Sequence, residues 1–214
     1  MYVKDTMTID PFCINKDTKV SHALDIMNQN EFHRLPVVDN NGKLIGLITE
    51  GTITESSPSK ATSLSIHEIN YLLSKTPVED IMIKNVKAIE PNALLEEAAT
   101  LMRTHQIGCL PVVENDKVVG IITDNDIFDA FINLLGYNVS GSRYVINIKQ
   151  DSCGVITNMT KCFADNQVNI TNVSVYHGPR GIEVIIITTD KNVELMKKAL
   201  TDAGYDLISA ETRN

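Results

Sequence analysis

The sequence predicts a mixed α/β (α+β) fold, in which a small strand-helix-strand-strand-helix unit occurs twice and a different βαββαβ unit follows. Three observations lead there. The 214-residue chain matches itself at an offset of 75, and such a period marks a duplicated supersecondary unit. Helical and strand periodicities recur at the same places within the two copies. From Tyr144 onward the pattern changes to one without a counterpart earlier in the chain.

At the offset of 75, Val3, Asp5, Met7, Ile14, Ala23, Met27 and Leu35-Pro36-Val37-Val38 fall on Val78, Asp80, Met82, Ile89, Ala98, Met102 and Leu110-Pro111-Val112-Val113. After a one-residue deletion the offset is 74, and Gly46, Ile48, Thr49 and Ile53 fall on Gly120, Ile122, Thr123 and Ile127. The first helix of each copy follows from apolar residues at i, i+3, i+4 and i+7: Val20, Ala23, Leu24 and Met27, then Leu95, Ala98, Ala99 and Met102. The Leu-Pro-Val-Val run is short and rich in β-branched residues, as a buried strand requires. A turn at Asp39-Asn40-Asn41-Gly42 or Glu114-Asn115-Asp116 leads to a second strand, Leu44 to Ile48 or Val118 to Ile122. Thr49 and Thr123 stand where the second helix begins. A unit of about 50 residues is too small to bury a good core alone, so the two copies are expected to pack as one domain.

Between the copies, Ser56-Ser57-Pro58-Ser59 reads as an exposed loop. Ser65 and Glu68 form a capping-box pair for a short helix with Ile66, Ile69, Leu72 and Leu73 on one face, stopped by Pro77. The periodicity breaks again at Gly136 to Ser142. Then come a strand (Tyr144 to Lys149), a helix after Gly154 (Val155, Met159, Phe163), a strand (Asn169 to Tyr176), a turn at Gly178-Pro179-Arg180-Gly181 with an exposed Arg, and a strand (Ile182 to Thr189). A helix (Val193, Met196, Leu200) and a short strand near Tyr205 to Ile208 complete a split βαβ sheet with helices on one face.

Composition narrows the function. Nineteen Lys and Arg against 27 Asp and Glu give a net charge of −8, so no long-range attraction draws the chain to nucleic acid or anionic lipid. No stretch approaches the roughly 18 apolar residues that span a bilayer, and a soluble cytoplasmic protein is expected. The four cysteines, at 13, 109, 153 and 162, show no C-x-x-C spacing and are expected to be buried, reduced thiols. The sequence contains no G-x-S-x-G, no G-x-x-x-x-G-K-[ST], no H-E-x-x-H and no G-x-G-x-x-G, and its five His are scattered. Neither an enzyme nor a metal protein is expected.

Gly120-Ile121-Ile122-Thr123-Asp124-Asn125-Asp126 is the most informative segment. Thr123 with Asp126 has the spacing of a capping box. The same residues suit a ligand: an open helix N-terminus offers free N–H groups to a phosphate, and an ionised Asp offers two acceptor oxygens to the vicinal hydroxyls of a ribose.

The repeat, with D-x-M at its start, His33-Arg34-Leu35-Pro36-Val37-Val38 on its middle strand and G-x-x-T-x-x-D at its end, resembles a tandem pair of CBS domains, residues 1–56 and 78–136, with a linker over 57–77. Residues 143–214 resemble an ACT domain, a ferredoxin-like βαββαβ unit. The order of the units and the Ser63 to Lys75 connector are similar to the AcuB-like acetoin-utilisation proteins.

The resemblance implies a regulatory sensor that binds AMP, ADP, ATP or S-adenosylmethionine in a cleft built from both repeats. Carried over by position, Ile122, Thr123 and Asp126 come from the second repeat and Pro11, Phe12, His33 and Arg34 from the first. Phe12 is placed to pack on an adenine ring and Arg34 to fork onto a phosphate, with His33 adding a hydrogen bond; the bland alternative for His33-Arg34 is a solvated strand end. In the sister cleft Thr52 replaces the Asp and Gly108-Cys109 replaces His-Arg, so one working site is expected. In the tail, Asp151, Gly154, Val155 and Asn169 mark where an ACT domain would hold an amino-acid effector, although Cys153 stands where Pro is common; Gly154 equally suits a tight turn. A homodimer is expected, since closed two-fold assemblies are the default. The rival reading is a non-catalytic assembly protein whose CBS and ACT units dimerise without ligand.

Overall fold

The computed structural model describes residues 1–57, 65–179 and 181–213. Pro58, Ser59, Ser63, Leu64 and Arg180, which figure in the expectations above, lie outside these residues. By its contacts the chain divides into two units, Met1–Ile127 and Phe128–Asn214.

The first unit holds both repeats. The leading repeat contains β1 (Thr8–Ile9), β2 (Ile14–Asn15), α1 (Val20–Asn30), β3 (Arg34–Val38), β4 (Leu44–Thr49) and α2 (Glu50–Ser56). After α3 (Ile66–Lys75) the second contains α4 (Leu95–His105), β5 (Cys109–Glu114), β6 (Lys117–Thr123) and α5 (Asp124–Leu134). The parallel strand β2 has only a one-pair counterpart, the bridge Ile89–Val112. α1 buries Val20, Ala23, Ile26 and Met27, and α4 buries Leu95, Ala98 and Met102, the faces that the helical spacing predicts. The Ser65–Glu68 capping box also forms: Ser65 N donates to Glu68 Oε2 at 2.7 Å and Glu68 N to Ser65 Oγ at 3.3 Å. The bonds that Ser65 donates to Oε2 from its N–H and its hydroxyl hold the Glu68 carboxyl below its ordinary range.

α1 and α4 both end on a left-handed residue, Glu31 (φ 57°) and Gln106 (φ 54°). Glycine is the usual occupant there, because a Cβ crowds the backbone. Gln106→Gly is therefore expected to raise stability by about 1 kcal/mol, read as a higher urea midpoint. A lower midpoint would mean that the Gln106 side chain contributes more than its backbone costs.

The repeats exchange their leading segments. β1 adds antiparallel to β6, with Thr8 opposite Ile121 and Ile9 opposite Gly120, so the second repeat's sheet runs β1-β6-β5 while the first runs β2-β3-β4. In the reverse direction Ile83 pairs with Leu47, each N–H donating to the other's carbonyl at 2.9 and 3.0 Å. Val3 N donates to Ala93 O, and Val78 N to Thr18 O, at 3.0 and 2.8 Å. Val78 enters the core of the first repeat beside Val20, Met27 and Ile48. The exchange explains two repeated sequence features at once. A Cβ on Gly46 would lie 2.3 Å from Met82 Sδ, and one on Gly120 would lie 2.5 Å from Met7 Sδ; each repeat's methionine occupies the space left by the other's glycine.

The second unit begins within α5, where the contacts change allegiance at Phe128. It continues with β7 (Gly141–Ile148), α6 (Val155–Asp165), β8 (Ile170–Gly178), β9 (Gly181–Thr188), α7 (Val193–Asp202) and β10 (Asp206–Arg213), the βαββαβ succession expected. The antiparallel sheet has the order β10-β7-β9-β8. Tyr144, Ile146 and Ile148 alternate toward Met159, Phe163, Met196 and Leu200 of the helices, and the Tyr144 and Phe163 rings meet edge-on at 5.5 Å. The last strand is longer than expected, because β10 pairs with β7 from Asp206 to Arg213. Among the described residues no helix is long and apolar enough to cross a membrane.

Candidate functional site

The exchange of leading segments builds two related clefts in the first unit. Once β1 has joined β6, the chain passes through Asp10, Pro11 and Phe12 before entering its own sheet at β2. This brings Pro11 and Phe12 against Ile121, Thr123, Asp124 and Asn125 of the second repeat, with Phe32, His33 and Arg34 completing a cleft of about 280 Å³. Five of the seven residues expected to bind nucleotide thus line one cavity, and Phe12 is 49% exposed on its wall.

The other two do not line it. Ile122 is fully buried, because strand alternation turns it to the face opposite Ile121 and Thr123. Asp126 lies just beyond the wall, engaged in capping: its Oδ2 accepts from Thr123 N and Thr123 Oγ1 at 2.7 Å each, while Asp126 N donates to Thr123 Oγ1 at 3.3 Å. Thr52 plays the same part at the start of α2 without a charge, accepting from Thr49 N at 2.9 Å and donating its own N–H to Thr49 Oγ1 at 3.1 Å.

The sister cleft is the larger, at about 500 Å³. It is walled by Thr49, Glu50 and Gly51, by Asn85, Val86 and Lys87, and by Ile107, Gly108 and Cys109. His33 and Arg34 line it as well, so the pair expected at the Asp126 cleft stands between the two cavities. Arg34 crosses to the second repeat, where its Nη1 donates to Gly108 O. A Cβ at Gly108 would stand 3.2 Å from Arg34 Nη1 and 3.1 Å from Asp124 Oδ2. The glycine that replaces a histidine here makes room for the first repeat's arginine. His33 Nδ1 lies 3.1 Å from Glu50 Oε2. Lys87 and Glu50 were missed in the sequence, yet Lys87 is the residue that the 75-residue offset lays on Phe12.

Cys109 is buried between these groups, and burial pushes its thiol up while Arg34 pulls it down. The expectation of buried thiols holds for Cys109 but not for Cys153, which is exposed at the turn before α6. No group of three or more His, Cys, Asp or Glu suited to a metal ion occurs among the described residues. In the second unit, Asp151 and Gly154 are exposed, Gly154 caps α6 at φ 87°, and Val155 packs into the core. Asn169 lines an open depression with Thr160, Ala164 and Gln167 that does not include Asp151, Gly154 or Val155.

The model of the CBS domain family matches residues 3–58 and 78–133, which are the two repeats. The chain belongs to the CBS domain family. A CBS domain-containing protein of Dictyostelium discoideum is 34% identical over 143 residues, covering 62% of this chain and 92% of that protein. Among solved structures, a Vibrio cholerae protein described as an acetoin utilization protein (AcuB) is 33% identical with a TM-score of 0.54, covering 64% of this chain and 95% of that one. The CBS domain pair of protein MJ0100, in complex with 5′-methylthioadenosine and S-adenosyl-L-methionine, is 28% identical with a TM-score of 0.52, covering 62% and 97%. CBSX2 in complex with AMP is 27% identical with a TM-score of 0.51, covering 62% and 96%. The chain spans less than half of the homoserine O-acetyltransferase and inosine-5′-monophosphate dehydrogenase that it also matches.

Proposed function

We propose that the CBS pair is a regulatory sensor for an adenosyl ligand, AMP, ADP, ATP or S-adenosylmethionine, held in the cleft walled by Pro11, Phe12, His33, Arg34 and Thr123. The observation that carries this reading is the convergence of an exposed aromatic ring, a guanidinium and a helix start from two repeats on one cavity. The ring suits adenine, and the guanidinium and helix N-terminus suit a phosphate or carboxylate. Asp126 has its second oxygen left for a ribose hydroxyl, since both bonds from Thr123 fall on Oδ2. The adenosyl ligands in the MJ0100 and CBSX2 structures support the ligand class. In this reading the second unit acts as an ACT-like module for an effector or for dimerisation. The likeness to the Vibrio cholerae protein supports a role in acetoin utilization. A homodimer belongs to the reading too, because α5 leaves Phe128 and Leu134 59–60% exposed.

A second reading places the ligand in the larger cleft, where Lys87 joins His33 and Arg34. Thermal unfolding with the four ligands separates the two. At about 100 times its dissociation constant a ligand adds roughly 2.7 kcal/mol. That increment is expected to vanish in Asp126→Ala and to survive in Lys87→Met, each compared with its own ligand-free state because Asp126→Ala also removes a cap. The opposite pattern moves the ligand to the larger cleft. No increment in the wild type leaves Thr123 and Asp126 as helix caps and favours a ligand-free assembly protein.

A further inference from the structure

The second unit holds a cavity of its own, of about 220 Å³, between the end of α5 and the uncovered face of the sheet. Its wall is apolar: Phe131, Ile132 and Leu135 with Ile185 of β9. At one side stand two guanidinium groups, Arg143 on β7 and Arg213 on β10. The helix end is held in place, with Asn172 Nδ2 donating to Leu134 O. Gly136 approaches so closely that a Cβ there would lie 3.0 Å from Ile187 Cδ1.

The arginines are largely withdrawn from solvent. Their side chains are only 23% and 24% exposed, and both lean on one carboxylate oxygen, Glu211 Oε1, at 3.8 Å from Arg143 and 3.4 Å from Arg213. Charge-assisted hydrogen bonds close to about 2.7–2.9 Å, so both contacts to Glu211 are longer than a well-placed carboxylate would make. Burial and the neighbouring Arg213 push the Arg143 guanidinium below its ordinary range, against the pull of Glu211 and Glu183. Arg213 is further oriented by the Tyr137 ring, whose centroid lies 5.5 Å away.

We propose that this cavity binds a small monocarboxylate with a short apolar tail, its carboxylate on Arg143 and Arg213 and its tail against Phe131, Ile132 and Leu135. The space equals about seven water volumes at ~30 Å³ each, which suits an acid of six to ten non-hydrogen atoms, on the order of one small tail. An α-ammonium would be repelled by two guanidiniums, and inorganic phosphate would leave the apolar wall without a partner. None of its lining residues lines either cleft of the CBS pair.

Titration of the full chain with 4-methylpentanoate tests this, followed by calorimetry and by the arginine Nε–H resonances of ¹⁵N-labelled protein. Saturable binding is expected, shifting two arginine signals and weakened at least tenfold in Arg213→Met. Ser174→Leu, which fills the cavity from β8 and keeps both arginines, is expected to weaken it similarly, while Arg34→Met leaves it unchanged. The matched amide, leucine and inorganic phosphate are expected to bind at least tenfold more weakly. The proposal is overturned by absence of saturable binding, by equal binding of the amide or of phosphate, or by affinity that survives both Arg213→Met and Ser174→Leu.

Discussion

Arg34→Met is expected to lower the affinity for an adenosyl ligand by roughly ten- to a hundredfold, the effect of losing a hydrogen bond to a charged group worth about 1.5–3 kcal/mol. Arg34 lines both clefts of the CBS pair, so the loss follows whichever one the ligand occupies. The change should cost the ligand-free protein little. Gly108 O, which accepts from Arg34 Nη1, also accepts from Asp124 N at 3.2 Å, so no buried carbonyl is orphaned. Methionine keeps most of the apolar stem. Calorimetric titration of wild type and variant measures the effect; equal affinities would mean that the guanidinium has no anionic group to hold.

Gly141→Ala is expected to cost about 3 kcal/mol or more, because the strain falls on backbone that has nowhere to move. A Cβ there would lie 1.8 Å from Thr188 O and 2.8 Å from Thr188 C, at a φ of 150°. Gly141 opens β7, and the pair Ser142–Thr188 next to it starts the central β7–β9 ladder. Gly204→Ala provides the contrast. Its φ is 83° and nothing stands within 4 Å of the added carbon, so only the left-handed backbone cost of about 1 kcal/mol applies. Urea unfolding of both variants measures the difference, and equal midpoints would mean that the start of β7 relaxes freely.

The parts of the fold legible in the sequence were those that repeat a local period. α1 and α4 follow from their apolar stripes, and α3 from the reciprocal Ser65–Glu68 pair. The exchange of β1 and its counterpart was not legible, because a two-residue strand such as Thr8–Ile9 carries no periodicity and its partner lies more than a hundred residues away. Its traces, Met7 with Gly120 and Met82 with Gly46, stood in the repeat as unexplained identities. Around the site, position along the repeat indicated which residues converge, but not where a long side chain would reach. Arg34 crosses to Gly108, a direction set by the space a glycine leaves rather than by any local pattern. Ile122 could have been placed more closely: on a strand whose Ile121 and Thr123 face the cleft, alternation turns the side chain between them into the core.

The crossed leading segments also decide what counts as a complete molecule. A chain carrying one repeat would have to borrow the strand and the buried valine of a second copy, so it would exist as a swapped pair and come apart on dilution. Joined in tandem, the same swap is internal to one polypeptide, at an effective concentration on the order of millimolar for a short connection. The clefts of this CBS pair therefore stay assembled at any protein concentration, and dilution acts only on whatever larger assembly the chain enters.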